Sequence, residues 1–389
     1  MGLRKRAFFC VRRYLVFFII GLICIFGNLI SSVPIFAQIV AVQILDGASS
    51  VNVSSEEILK IADMKTGKVS ALPTGNSYPA LPASGGIKIR EMSFSSMIRI
   101  MGGPKLIRIN GRSYRGSVIL SNDKGRIGAV NELGVEDYLL GVLPREVSPK
   151  WDREALKAQA VVSRTYILRN LGRFADKGYD LTSCDKSQVY GGADSEKPET
   201  TFAVFETKGQ VLEYRGALAS VYFHADSDGY TEDPKYVWGT DSTPEYLKGR
   251  REPVREKTPY SFWEYRISYE ALSEILGKNG FSSEMVRKVE CKKKNSSGRV
   301  VSFVVRTARG KMEIDSNKFR TILGAGHLKS TKIKRIINGR KDVAFEGGGW
   351  GHGVGLSQWG AKELADKGWS YKRILNFYFP GTNISQFRD

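Results

Sequence analysis

The sequence predicts an α+β protein: a mixed β-rich domain with a helical insertion that carries the candidate catalytic residue, behind an N-terminal signal or anchor segment. Three observations predict this class. Short apolar runs bounded by turn residues fill the chain from Ile39 to about Leu120; residues 135–169 change to helical spacing; and residues 4–37 join a basic head to an apolar stretch. At 389 residues, 42% of them apolar, the chain has material for one large domain or two ordinary ones and for a sizeable core.

The leader comes first. Arg4, Lys5, Arg6, Arg12 and Arg13 precede an apolar run from Tyr14 to about Ile30, followed by small residues and a candidate cut after Ala37. Residues 1–37 are therefore a signal peptide or, if uncleaved, an anchor close to the shortest length that spans hydrocarbon. Ile23 before Cys24 argues against lipid attachment there. Removal of the leader takes five basic residues, leaving 54 basic against 40 acidic, or +14 of the original +19. An exported, basic chain points to an anionic wall or membrane surface and away from nucleic acid. Cys184 and Cys291 are the only cysteines beyond the leader, which leaves one bridge or two thiols open.

Residues 38–87 follow as a β-rich part: Ile39–Leu45, Val51–Val53 and Ile58–Ile61 are strand-like, and the Pro-, Gly-, Ser- and Ala-rich stretch 72–86 is expected to be a linker. In the part from 88 to 389, Asn110-Gly111 predicts a tight hairpin turn between Lys105–Ile109 and Tyr114–Leu120. Val135–Leu143 is helical in pattern and is expected to stop at Pro144. Ser148-Pro149 predicts the start of a helix running to Arg169. Strands are expected near Ala203–Phe205, Gln210–Tyr214, Ala219–Phe223 and Val300–Thr307, an ordered loop over 229–260, and helices over Ser268–Leu276 and Ser357–Lys367, the last closed by Gly368.

The chemistry centres on Glu146. Its expected place is a Pro-bounded corner with Val142, Leu143 and Val147 around it, surroundings that raise a carboxyl pKa and keep a proton available for acid catalysis. On the next helix Gln159, Ser163 and Tyr166 share one face, and Lys157 and Arg164 a neighbouring stripe. Such a polar stripe lines something polar or is simply the solvated face. His224, His327 and His352 are too few and too irregularly spaced for a histidine metal site, and Asp226-Ser227-Asp228-Gly229 places its glycine too early for a calcium loop. No metal or cofactor is expected. The six glycines around Trp350 and His352 lack the Lys-Ser/Thr of a phosphate loop. They form a backbone that lies against a flat ligand such as a sugar, or an irregular turn packed under the last helix.

Five ordered segments carry a resemblance: Val135–Glu146, Glu154–Tyr166, Ser187-Gln-Val-Tyr-Gly-Gly192, Tyr222–Glu232 and Gly347–Ala361, with Ile374–Thr382 closing the chain. Together they resemble the stage II sporulation protein D / LytB amidase-enhancer family over residues 88–389. The resemblance implies lytic transglycosylation of peptidoglycan glycan strands stripped of stem peptides, with Glu146 as acid and then base. The glycan contacts expected beside it are Arg145, Lys157, Gln159, Ser163, Arg164, Tyr166, Gln188, Tyr190, His224, Ser227, Trp350, His352 and Gln358. Some members hold zinc near the segment matched by Cys184–Tyr190; here Ser187 stands where they have a cysteine, so zinc is not carried over. Ser227-Asp-Gly departs from the commoner Gly-Gly form. Relatives described as enhancers of wall amidases define the alternative, a non-catalytic glycan-binding partner of a cell-wall amidase. On either reading the protein is exported and meets a membrane only through an uncleaved leader.

Overall fold

The computed structural model describes residues 38–387 except 104, 254 and 255; the leader reading of 1–37 lies outside the described residues. The observed class is α+β. Alternating burial along Ile39–Ala48, Val51–Ser55, Leu59–Asp63, Met97–Met101 and Arg126–Gly134 turns one face of each strand inward. These strands form a seven-stranded sheet, in the order 181–182, 39–48, 126–134, 117–123, 97–101, 59–63, 69–72, and a six-stranded one, 112–114, 107–109, 51–55, 77–83, 86–89, 92–94. Val40, Val53, Ile61, Ile87, Ile100 and Leu120 meet in a single apolar core. The hairpin at Asn110-Gly111 is as expected, with φ of 48° and 81° at the two turn residues.

The expected linker is instead partly strand. Ser77–Ala83 pairs with Val51–Ser54 on one side and with Gly86–Ile89 on the other. Tyr78 and Ala80 face the core while Pro79 points outward, so the period-2 pattern outweighs the proline content.

Helix α1 (Val135–Glu146) follows directly from strand 126–134. It does not stop at Pro144: the last turn continues through it, and Val147 N–H closes on Leu143 O at 3.0 Å. Helix α2 (Arg153–Arg169) starts later than Ser148-Pro149 suggests. Ser148 serves a local turn, and Asp152 is the cap, its carboxylate accepting from Glu154 N–H at 2.7 Å. Nearly every side of α2 is covered. Leu156, Ala160 and Ile167 join the first core; Ala155, Ala158, Val161 and Val162 join a second, with Val221, Leu356, Leu364 and Ile374.

Ala203–Phe205, expected as strand, lies in helix α3 (Pro198–Glu206), which begins with proline at its first position. The short helix α4 (Lys235–Trp238) interrupts the 229–260 loop. A third core joins strands 263–268, 342–347 and 333–338, strands 286–294, 300–307 and 311–315, and helices α5 (Tyr269–Lys278) and α6 (Ser316–Leu323). The chain returns through the glycine run to helices α7 (Gln358–Asp366, capped by Ser357) and α8 (Tyr371–Tyr378). Among the described residues no helix is long and apolar enough to cross a membrane.

Candidate active site

The β-rich part positions the site. Strand 39–48 lies between strand 126–134, which feeds α1, and the short strand 181–182, which leads into the Ser183–Gly192 segment. Both Glu146 and the segment facing it therefore start from the two strands that flank strand 39–48 in one sheet. Gly141 lets the two approach: a Cβ there would meet the Tyr190 ring at 2.6 Å and Gly192 O at 2.8 Å. Gly191 N–H donates to Gly141 O at 3.1 Å, and Tyr190 O–H donates to the buried Asn131 at 2.9 Å.

Glu146 is the last residue of α1, not a corner between helices. Its Oε1 accepts the Val189 N–H at 2.9 Å. Burial is the main influence on its carboxyl and pushes the pKa up; the Val189 N–H and the Arg145 charge pull it back in part. Arg145 itself is exposed beside it. Tyr138, two helical turns back, packs tilted against the Tyr190 ring at 4.8 Å, and its buried hydroxyl has no hydrogen-bond partner among the described residues. Tyr166 stands half-buried on α2 and accepts from Arg173 at 3.1 Å; burial raises its pKa, and the Glu146 charge adds to this.

The polar stripe of α2 is neither a groove lining nor a solvated face throughout. Arg164 is fully buried and grips Glu136 with two bonds of 2.8 Å, with Gln210 O and Val204 O completing its set. It is a structural ion pair and not a glycan contact. Lys157 turns to Glu154 and lies 4.7 Å over the Tyr371 ring, facing α8. Ser227 is likewise committed inside, to Glu252, which also accepts from Tyr378 at 2.6 Å. Tyr190 is an anchor whose hydroxyl is already used. Gln159 donates to Ser163 at 3.1 Å, both buried.

A second group forms around the glycine run. His224 and His352 stand 5.6 Å apart, and Trp238 and Tyr222 complete the cluster, with His352 at 5.3 Å from Trp238. Burial holds His224 well below its ordinary pKa; burial, then Arg320 and Arg299, push His352 down to about 3, so both rings are neutral at pH 7. Gly351 and Gly353 have positive φ, and a Cβ at 353 would strike the Arg299 guanidinium at 2.8 Å, so the run packs against buried side chains. Trp350 faces the other way, edge-on to Tyr260 at 4.8 Å with the Lys329 ammonium 5.0 Å above it. Asp228 takes the left-handed conformation (φ 56°) where the commoner form has glycine, a position Asp tolerates.

Four of the expected contact residues hold buried polar atoms without a partner among the described residues: Gln159 Oε1, both amide atoms of Gln188, His224 Nε2 and Gln358 Nε2. Such atoms are normally satisfied by protein, water or ligand. Both cysteines are free thiols, and no cluster of three or more His, Cys, Asp or Glu ligands forms among the described residues. The sequence reading missed Val189, whose backbone donor carries no side-chain signal. It also missed Tyr138, which the i, i+4, i+8 spacing of 138, 142 and 146 places on the face of Glu146.

Comparison with known proteins agrees with this architecture. Residues 123–214 match the model of a family described as stage II sporulation protein, and residues 241–355 match a domain of unknown function. An uncharacterized protein of Brachyspira hyodysenteriae is 32% identical over 78% of this chain and 80% of its own length. The amidase enhancer of Bacillus subtilis is 30% identical over 64% of this chain, which spans only 40% of that protein. Stage II sporulation protein D of Bacillus amyloliquefaciens is 30% identical over 66% of this chain and 76% of its own length. A β-rich scaffold with a half-buried glutamate at the end of α1 thus occurs here in a chain similar to both kinds of protein. The chain belongs to the stage II sporulation protein D / LytB amidase-enhancer family.

Proposed function

We propose that this protein is an exported peptidoglycan lytic transglycosylase that cleaves glycan strands stripped of stem peptides. The observation that carries the reading is Glu146: a carboxyl in protein surroundings, oriented by the Val189 N–H, with its pKa raised by burial. A group so placed keeps its proton to higher pH than a free glutamate and can act as an acid. No second carboxylate is among the groups that act on it, whereas ordinary glycosidases use a pair about 5–9.5 Å apart.

One carboxyl suffices for an intramolecular reaction. Glu146 gives its proton to the glycosidic oxygen as the bond from muramic C1 breaks, leaving an oxocarbenium-like centre. The carboxylate then takes the proton of the C6 hydroxyl of the same sugar while O6 bonds to C1. The products are an anhydro sugar and a free hydroxyl on the departing strand; no water is consumed and Glu146 ends protonated. Arg145, Tyr166, Gln159, Gln188, His352 and Trp350 are the glycan contacts in this reading, and Gln159 Oε1 and the Gln188 amide, without a partner among the described residues, support it.

The name of the Bacillus subtilis relative favours a second reading, a glycan-binding partner of a wall amidase without its own chemistry. Incubation of the protein and its Glu146→Gln variant with amidase-stripped peptidoglycan, read by mass spectrometry, decides between them. Anhydro-ended disaccharides from the wild type alone are expected. Reducing ends would mean hydrolysis, and binding without product from either protein would mean an enhancer.

A further inference from the structure

Arg320 lies on the buried face of α6 with Phe319 and Leu323 and is 9% exposed. Its Nε donates to Lys329 O at 3.2 Å. Among the described residues no carboxylate comes within ion-pair distance of it, and the only charge acting on it is the like charge of Arg299. Burying a guanidinium without a counter-ion is costly.

Neighbouring groups do not supply that counter-ion. Arg299 is fully buried, donates to Ser227 O at 3.1 Å, and feels the carboxylates of Glu232, Asp228, Asp226 and Glu252. Glu232 is held by Asn295 at 2.7 Å and Ser297 at 2.9 Å. His352, which feels the charge of both arginines, is neutral. Arg299 Nε and Nη1 also have no partner among the described residues, but Arg299 is fully sealed from solvent, so Arg320 is the one of the two that something from outside can reach.

Its surroundings indicate what that is. Arg320 Nε and Gly351 N–H both donate to Lys329 O, at 3.2 and 2.9 Å, which sets the guanidinium beside the glycine run next to His352; His352 packs with Trp238 and Tyr222, and Trp238 is 43% exposed. Asn317, one helical turn before Arg320, donates to Val237 O at 3.0 Å, which fixes α6 against the helix that carries Trp238. An aromatic wall with a guanidinium behind it suits a sugar ring bearing a carboxylate, since rings stack on indole and phenol faces and Arg binds carboxylates with a two-pronged fork.

We propose that Arg320 reads the free lactyl carboxylate of a muramic unit whose ring lies against Trp238 and Tyr222, away from the bond cleaved at Glu146. This rests on the glycan-strand reading above and places selection of stripped strands in the 241–355 module, not in α2. A stem peptide turns that carboxylate into a neutral amide and removes the charge Arg320 requires.

The test uses the Glu146→Gln protein, so that strands bind without turnover, with and without Arg320→Gln. The probes are amidase-stripped strands and the same strands with their lactyl carboxylates converted to methylamides. Arg320→Gln is expected to weaken binding to the carboxylate strands about tenfold or more and leave methylamide strands unaffected. Its melting temperature should hold or rise, because an unpaired buried charge has gone. Equal loss on both probes, or no loss on either, would overturn the proposal. If Arg320→Gln does not fold, Arg320→Lys replaces it: retained preference for carboxylate strands at lower affinity supports the proposal, and equal affinity for both probes refutes it. If the protein with Arg320 intact binds neither probe, the glycan-strand reading itself has failed, which the other outcomes do not imply.

Discussion

Glu146 sits at the C-terminal end of α1, where the helix dipole opposes a negative charge, in surroundings that also penalise it. The Val189 N–H compensates only in part. A carboxyl whose folded pKa lies above its unfolded one costs stability once the pH passes the unfolded value, and more so up through the folded value. Glu146→Gln removes that cost while its amide oxygen still accepts from Val189. The variant should melt higher than the wild type at pH 7, and the difference should shrink toward zero at about pH 3, where the wild-type carboxyl is protonated in both states. Melting curves at the two pH values check this. Arg164 illustrates the opposite case: its guanidinium has a carboxylate, two carbonyls and no solvent, so its chemistry is spent on holding α1 to α2.

At the scale of elements, what brings chemistry together is the contact between α1 and the 183–192 segment, and Gly141 is its hinge point. Gly→Ala in a helix interior ordinarily gains up to about 1 kcal/mol. Here the added methyl meets the Tyr190 ring and Gly192 O, so the helix persists and the segment must move away. Val189 then loses Glu146. Because that bond favours the charged form, its loss moves the alkaline limb of the pH–rate profile, where the acid gives up its proton, to higher pH. Gly141→Ala should therefore keep its circular dichroism, lose activity about tenfold or more, and show that alkaline shift. The glycine was visible in the sequence, but its reason was not, since the partner lies fifty residues away. The same limit explains the other differences. Alternation in Ile39–Leu45, the Asn110-Gly111 turn and the Ser357 cap are local signals and were legible. Arg164 and Lys157 were misplaced because a stripe on a helix does not say whether a second core covers it. Pro144 and Pro79 sit where tertiary packing overrides their local preference.

The whole molecule joins three apolar cores to a strongly basic surface. The first two cores share α2, and the third belongs to the module that holds Arg299 and Arg320. With a formal charge of +19 the chain attracts any regular row of anions before a specific contact forms. A stripped glycan strand is such a row, with one lactyl carboxylate per muramic unit. The long-range part of this attraction is screened by salt, the Debye length falling from about 10 Å at 0.1 M to about 3 Å at 1 M. The pairing at the largely buried Arg320 is screened much less. Two salt responses should therefore separate in stopped-flow binding to stripped strands. The association rate should fall steeply between about 0.05 and 0.5 M salt for both the parent and Arg320→Gln, because the surface charge is nearly the same in each. The dissociation rate of the parent should change little over that range and stay slower than that of Arg320→Gln throughout. If both differences instead vanished together at high salt, Arg320 would contribute no more than the rest of the basic surface.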